Sequence, residues 1–122
     1  MIFLRIVWLV SLAAVIIGSL VPAQSPIIGL IDQAHLNDKV QHFGAYAVLA
    51  ALPALARFRC RRLGRAMVFL VLLGAALELG QLFSPGRSCD WHDLLANVCG
   101  ILAGTSLVRI LQRFVSRTWM TS

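Results

Sequence analysis

Residues able to carry acid–base, hydrogen-bonding or metal chemistry are sparse in this 122-residue chain, and they recur at helical spacing. Asp38, His42 and Tyr46 follow one another at steps of four, which stacks them on one face of a helix. Glu78 and Gln81 are three apart, with Gly74 continuing their stripe. Asp93, Asn97, Gly100 and Gly104 recur at i, i+4, i+7 and i+11, again a single face. Histidine exchanges protons near neutrality and can act as acid, base or donor. A carboxylate such as Glu78 beside His42 could divide the acid and base roles with it. Lys39 and Arg87 add donors suited to carboxylate or phosphate groups, Asp90 and Asp93 among them. Asp90 and Asp93 with His42 could also hold a divalent cation through oxygen and nitrogen ligands. No HExxH or CxxC motif supports that, so no metal or cofactor is assigned. Ser84, Ser88 and Cys89 lie in a loop without a motif, and no nucleophile is paired with the histidine.

The elements that must position these residues are set by composition. An apolar fraction of 59% with 13% charged residues lies far from the soluble norm of about 45–50% and about 25%. The chain is therefore read as an all-α integral membrane protein. A spanning helix takes roughly 20 residues, so four helices and short loops use nearly the whole chain. The expected spans are about residues 5–21, 40–56, 66–83 and 93–111, forming one four-helix domain over 1–122. On this layout all five acids (Asp32, Asp38, Glu78, Asp90, Asp93) and His35, His42 and His92 emerge on one side. Arg5, Arg57, Arg59, Arg61, Arg62, Arg65, Arg109, Arg113 and Arg117 emerge on the other. Positive charge resists translocation. Both termini and residues 57–65 are thus expected in the cytoplasm, and residues 22–39 and 84–92 outside the inner membrane. The same rule explains the net charge of +6 without a nucleic-acid partner. Cys60, Cys89 and Cys99 fall in three separate places, which gives neither a disulfide framework nor a thiolate metal site; Cys99 reads as a small buried residue.

The first run competes with a signal-peptide reading, because Val21-Pro22-Ala23 has small-residue cleavage character. Against that, Ser11, Val15 and Gly18 trace a stripe suited to helix packing. Ile27, Ile28, Leu30 and Ile31 place the outer loop in the membrane interface. Pro53 is tolerable near the inner end of its helix if a neighbour satisfies the carbonyl it frees, and Pro85-Gly86 reads as a tight turn.

Depth sharpens the candidates. Glu78 lies five residues before Phe83, roughly 7–8 Å below its helix end. An unpaired carboxylate there costs about 2 kcal/mol or more. Asn97 is about 6 Å below Asp93. Each residue also has a plainer reading. Asp38 (with Gln41) and Asp90 suit helix caps, Asn97 and Glu78 suit helix–helix hydrogen bonds, Arg87 suits a loop ion pair, and Tyr46 suits an interface belt. Capping alone would not bury Glu78, Tyr46 and Asn97 together. A polar pocket between the second, third and fourth predicted helices is expected, lined by Asp38, Lys39, His42, Tyr46, Glu78, Gln81, Arg87, Asp90, Asp93 and Asn97 and open to the outer side.

These residues form two extended patterns. Asp38-Lys39-x-x-His42-Phe43-x-x-Tyr46-x-x-Leu49 resembles the first signature of the VanZ-like family. Glu78-x-x-Gln81-x-Phe83-x-Pro85-x-Arg87-x-x-Asp90-x-x-Asp93-x-x-x-Asn97-x-x-Gly100 resembles the second. The resemblance implies a small polytopic membrane protein whose name-giving relative is linked to low-level teicoplanin resistance. It implies no settled mechanism and does not carry resistance to this chain. The expected function is a cell-envelope protein that binds or conditions an amphiphile: a lipid-linked glycan precursor, a lipid head group or a lipoglycopeptide. The alternative is a membrane-embedded enzyme using Glu78 and His42 on a lipid-linked substrate. Proton-coupled transport or a structural subunit is a third class, disfavoured by the small number of helices and the lack of an inverted repeat. Membrane lipids are the expected partners, and the sequence does not fix the oligomeric state. The topology is checked by reporter fusions: alkaline phosphatase fused after Arg62 should be inactive, and activity there would overturn the orientation.

Overall fold

The computed structural model describes residues 2–32, 37–57 and 59–120 and is all helical, with no strand among them. Its elements are α1 (Ile2–Leu20), α2 (Pro26–Asp32), α3 (Asp38–Leu55), α4 (Cys60–Gln81) and α5 (Trp91–Met120). Side chains are not described for Ile31, Asp32 and the residues from 117 onward, so the roles expected of Asp32 and Arg117 fall outside, as does that of His35. Among the described residues three helices are long and apolar enough to cross a membrane: α1, α4 and the Trp91–Ser116 part of α5. The second expected span, α3, does not reach that apolarity. Its first half carries Asp38, Lys39, Gln41, His42 and Tyr46, of which Tyr46 is buried and Asp38 is exposed.

Helix α3 packs on α1, α4 and α5, most extensively on α5, while α1 also packs on α4. Lys39 lies beside Asp93, and Gln112 donates to the Ala54 carbonyl, so α3 and α5 run parallel. Trp8 sits beside Phe69 and Ser19 beside Gln81, so α1 runs alongside α4 in the opposite sense to α3. The acids with described side chains therefore gather at the end where α1 and α4 finish and α3 and α5 begin. The Arg59–Arg65 run lies at the other end.

The centre is filled by Tyr46, Leu49, Ala50, Leu70 and Ile101, and a smaller cluster of Ala54, Leu63 and Val108 lies nearer the basic end. Pro53 is buried in α3 and cannot donate to the Leu49 carbonyl one turn back. The Trp8 indole takes that carbonyl at 2.9 Å, so the neighbour required by the sequence is supplied by α1.

Helix α1 ends on carbonyls that no later turn can satisfy. The α4–α5 connection satisfies them instead. Gln81 donates to Ser19 at 3.1 Å and Ser84 to Leu20 at 2.9 Å, while Arg87 donates to Gly18 and Val21 at 3.0 and 3.3 Å. In the connection between α1 and α3, α2 buries Ile28 and leaves Ile27 and Leu30 exposed. The cap of α3 is Asn37, which accepts from the Lys39 amide at 2.9 Å, and Asp38 is left free of that task. Cys99 is exposed rather than buried, because the neighbouring Gly100 takes the packed face.

Gly100 and Gly104 set the α3–α5 approach. A Cβ on Gly104 would stand 2.8 Å from the Ala47 carbonyl carbon, and one on Gly100 would stand 3.0 Å from that of Phe43. Backbone cannot yield as a side-chain tip can. Gly104→Ala should therefore force the helices apart and destabilise the protein by about 1–3 kcal/mol or more, read as a fall in thermal midpoint in detergent. Gly44→Ala, with open space around its Cβ, should be close to neutral.

Candidate functional site

Asp90 stands immediately before α5 and accepts from the His92 amide at 2.9 Å, so it is the helix cap that the sequence suggests. The same carboxylate holds Lys39 at 2.7 Å and the His92 ring at 2.8 Å. The Lys39 ammonium, with the His92 amide and ring behind it, holds the Asp90 carboxyl well below the usual carboxylate range. The stabilisation it contributes is thus present above an ordinary aspartate pKa of about 4 and is lost only as pH falls through the depressed value. Lys39 also bridges to Asp93, which is 4% exposed.

His42 is the hub. Its Nδ1 lies 2.9 Å from Oδ1 of Asn97 and 3.9 Å from Oε1 of Glu78. An amide oxygen and a carboxylate can only accept, so in the neutral ring the proton belongs on Nδ1. Nε2 then faces Asp38 Oδ1 at 3.9 Å and Asp93 Oδ2 at 3.7 Å. Asn97 is 1% exposed, and its amide nitrogen packs with the Tyr46 hydroxyl over Gly74. A Cβ on Gly74 would stand 3.0 Å from that nitrogen and 3.3 Å from the hydroxyl, so the glycine makes room for both. Glu78, 4% exposed, accepts from the Asp90 amide at 3.3 Å, which ties the depth of α4 to the start of α5.

A cavity of about 260 Å³ opens on this hub from the side of α1 and α2. Its polar surface comes from Asp38, Gln41, His42, Tyr46, Gln81 and Arg87, and its apolar walls from Ala14, Val15 and Ile28. The expected set therefore divides. His42, Asp38, Tyr46, Gln81 and Arg87 reach the cavity. Lys39, Glu78, Asp90, Asp93 and Asn97 form a layer behind it, between α3, α4 and α5. Arg87 does not fork onto Asp90 or Asp93: the end of α1 offers it carbonyls at the negative pole of a helix. Of the cation ligands weighed from sequence, Asp90 is turned to Lys39 and His92, and Asp38 takes its place beside His42 and Asp93. The contributions of α1, α2 and Gln41 were not legible as site residues. The only signals were the small-residue stripe ending at Gly18 and the position of Gln41 one turn from Asp38.

The two acids held by Lys39 differ in surroundings, and this gives a test. Lys39→Met strands the Asp93 carboxylate, which is buried, and should cost up to about 3 kcal/mol, the low end for a broken buried pair because Lys39 itself faces solvent. Asp90→Asn keeps the cap and leaves Lys39 on Asp93, so its loss should be clearly smaller. Thermal unfolding of both variants in detergent measures the difference, and equal losses would contradict the arrangement.

Among known proteins, neither a curated sequence nor a solved structure matches the chain significantly. The description VanZ/LLP1 does match, over residues 4–112. That range takes in α1 as well as the two patterns between Asp38 and Gly100, together with every residue of the hub. The helical architecture, the apolar spans and this match agree, and the chain belongs to the VanZ/LLP1 family.

Proposed function

We propose that the chain crosses the inner membrane four times, with both termini and residues 57–65 in the cytoplasm, and binds the head group of an envelope amphiphile at its outer end. The sorting of acids and arginines to opposite ends supports this orientation. Helix α3 has 18 residues, about 27 Å of rise, and becomes a fourth crossing when its polar face is covered by α1, α4 and α5. The apolar outer faces of the helices suit contact with lipid chains.

The observation that carries the binding reading is the cavity: a polar floor at His42, Tyr46 and Gln81 under apolar walls from α1 and α2. Its volume of about 260 Å³ lies just below the usual range for small-molecule sites, roughly 300–1,000 Å³. That suits a head group whose chain stays in the bilayer. A lipid-linked glycan precursor, a phospholipid or a lipoglycopeptide each presents such a group. The enzymatic alternative gives His42 contact with the substrate and leaves Glu78 behind it, 3.9 Å from Nδ1 and outside the cavity lining. Glu78 is thus better placed to orient His42 than to touch a substrate, which favours binding over catalysis.

Lipid analysis of the purified full-length protein tests this. Wild type should carry an enriched amphiphile that His42→Ala loses and that Val15→Phe, which fills the cavity from α1 without touching the polar layer, also loses. Bulk membrane composition in all samples would sink the binding reading. Consumption of a supplied lipid by wild type and not by Glu78→Gln would replace it with the enzymatic one.

A further inference from the structure

The buried hub has a feature that head-group binding does not require. Its histidine is aimed. The amide oxygen of Asn97, 2.9 Å away, fixes the proton on Nδ1, so the Nε2 lone pair of neutral His42 points between two carboxylate oxygens. These lie at 3.7 and 3.9 Å, beyond hydrogen-bonding reach, and Nε2 has no other hydrogen-bond partner among the described residues. Three electron-rich atoms facing one another without a proton or cation between them repel.

We propose that Asp38, His42 and Asp93 form a binding site for a divalent transition-metal ion, best suited to Zn²⁺, through Oδ1, Nε2 and Oδ2 respectively. The three ligand atoms lie within 4.8 Å of one another. A tetrahedral ion with bonds of about 2.1 Å needs ligand atoms roughly 3.4 Å apart; contraction by a few tenths of an ångström at His42, with a turn of the exposed Asp38 side chain toward Asp93 across a spread of up to 4.8 Å, closes the site. One imidazole and two carboxylates suit zinc better than calcium or magnesium, which favour all-oxygen shells. The surroundings of a metal histidine are also present: its second nitrogen is held by a buried amide oxygen, which sets the tautomer and the ring orientation. Lys39 takes the other oxygen of Asp93 and leaves Oδ2 to the ion. Asp38 and His42 line the cavity, so the remaining coordination positions open toward it. The local charge balance agrees. Asp38, Glu78, Asp90 and Asp93 gather here, Lys39 pairs with two of them, Asp90 and Asp93, and Arg87 donates to the carbonyls of α1. An ion here would supply the positive charge that Lys39 and Arg87 do not offer to an anionic head group.

The site stands independently of amphiphile binding and is tested without lipid. Tag-free full-length protein in neutral detergent is titrated with Zn²⁺ by calorimetry and with Co²⁺ by absorbance. Wild type should bind a single ion per chain, with weak d–d bands and no thiolate charge-transfer band despite Cys60, Cys89 and Cys99. Asp38→Asn is the informative variant, because the Asp38 side chain is 57% exposed and its loss leaves packing intact. It and His42→Ala should weaken binding by on the order of 100-fold, and Asn97→Leu by about 10–100-fold. His92→Ala, whose ring meets Asp90 and Trp91 and lies outside the proposed ligand set, should bind as wild type does. The proposal is overturned if wild type shows no saturable binding, if folded Asp38→Asn binds as tightly, or if a thiolate band reports coordination by cysteine.

Discussion

The close approach of α3 and α5 is the contact on which the rest of the structure depends. With no side chains at Gly100 and Gly104, the backbone of α5 rests on that of α3 at Phe43 and Ala47. In a membrane, packing of this kind replaces the hydrophobic drive that water supplies to soluble bundles. It also sets the site. Lys39 reaches Asp90 and Asp93, and His42 reaches Asn97 and Asp93, only because the two helices run in parallel at glycine-limited distance. Widening the pair by one methyl group would lengthen every one of these contacts together. The polar cluster is therefore a consequence of the same small residues that hold the helices.

A second constraint is the satisfaction of backbone groups where no water competes. Pro53 frees the Leu49 carbonyl and Trp8 binds it; the end of α1 frees carbonyls and Gln81, Ser84 and Arg87 bind them. Two residues that look like ligand donors in the sequence are thus engaged in docking α1. The docking is not separate from the site, since α1 supplies the apolar wall of the cavity and Gln81 and Arg87 border it. An α1 that detached from these donors would open the cavity to lipid and uncover the face of α3 that bears His42.

What could be read from the sequence follows from what periodicity and charge encode. Helical spacing placed His42 and Tyr46 on one face and Asp93, Asn97, Gly100 and Gly104 on another, and the structure presses those two faces together. Charge sorting separated the site end from the arginine end. Composition marks three helices as apolar enough to span, but α3 falls short of that apolarity, and its packing on α1, α4 and α5 is a tertiary fact. Pairing was the least legible. Arg87 is close in sequence to Asp90 and Asp93, yet it turns to α1, because a helix end 66 residues earlier is nearer in space. The capping of α3 moved from Asp38 to Asn37, a difference of one position that frees Asp38 for His42. Single-residue choices of this sort are decided by backbone geometry at the helix start, which spacing does not reveal.

The hub separates polar residues that hold the fold from those that face outward, and His42 is where the two meet. Its Nδ1 side belongs to the buried layer with Asn97 and Glu78, while its Nε2 side and Asp38 belong to the cavity. A residue that only stabilised helix packing would have no reason to present its second nitrogen to an opening. A residue that only bound ligand would not require a 1%-exposed asparagine to fix its tautomer. Both conditions are met at one ring. That is the arrangement expected when a fixed donor set is built first and access to it is left from one side, here the side closed by α1 and α2.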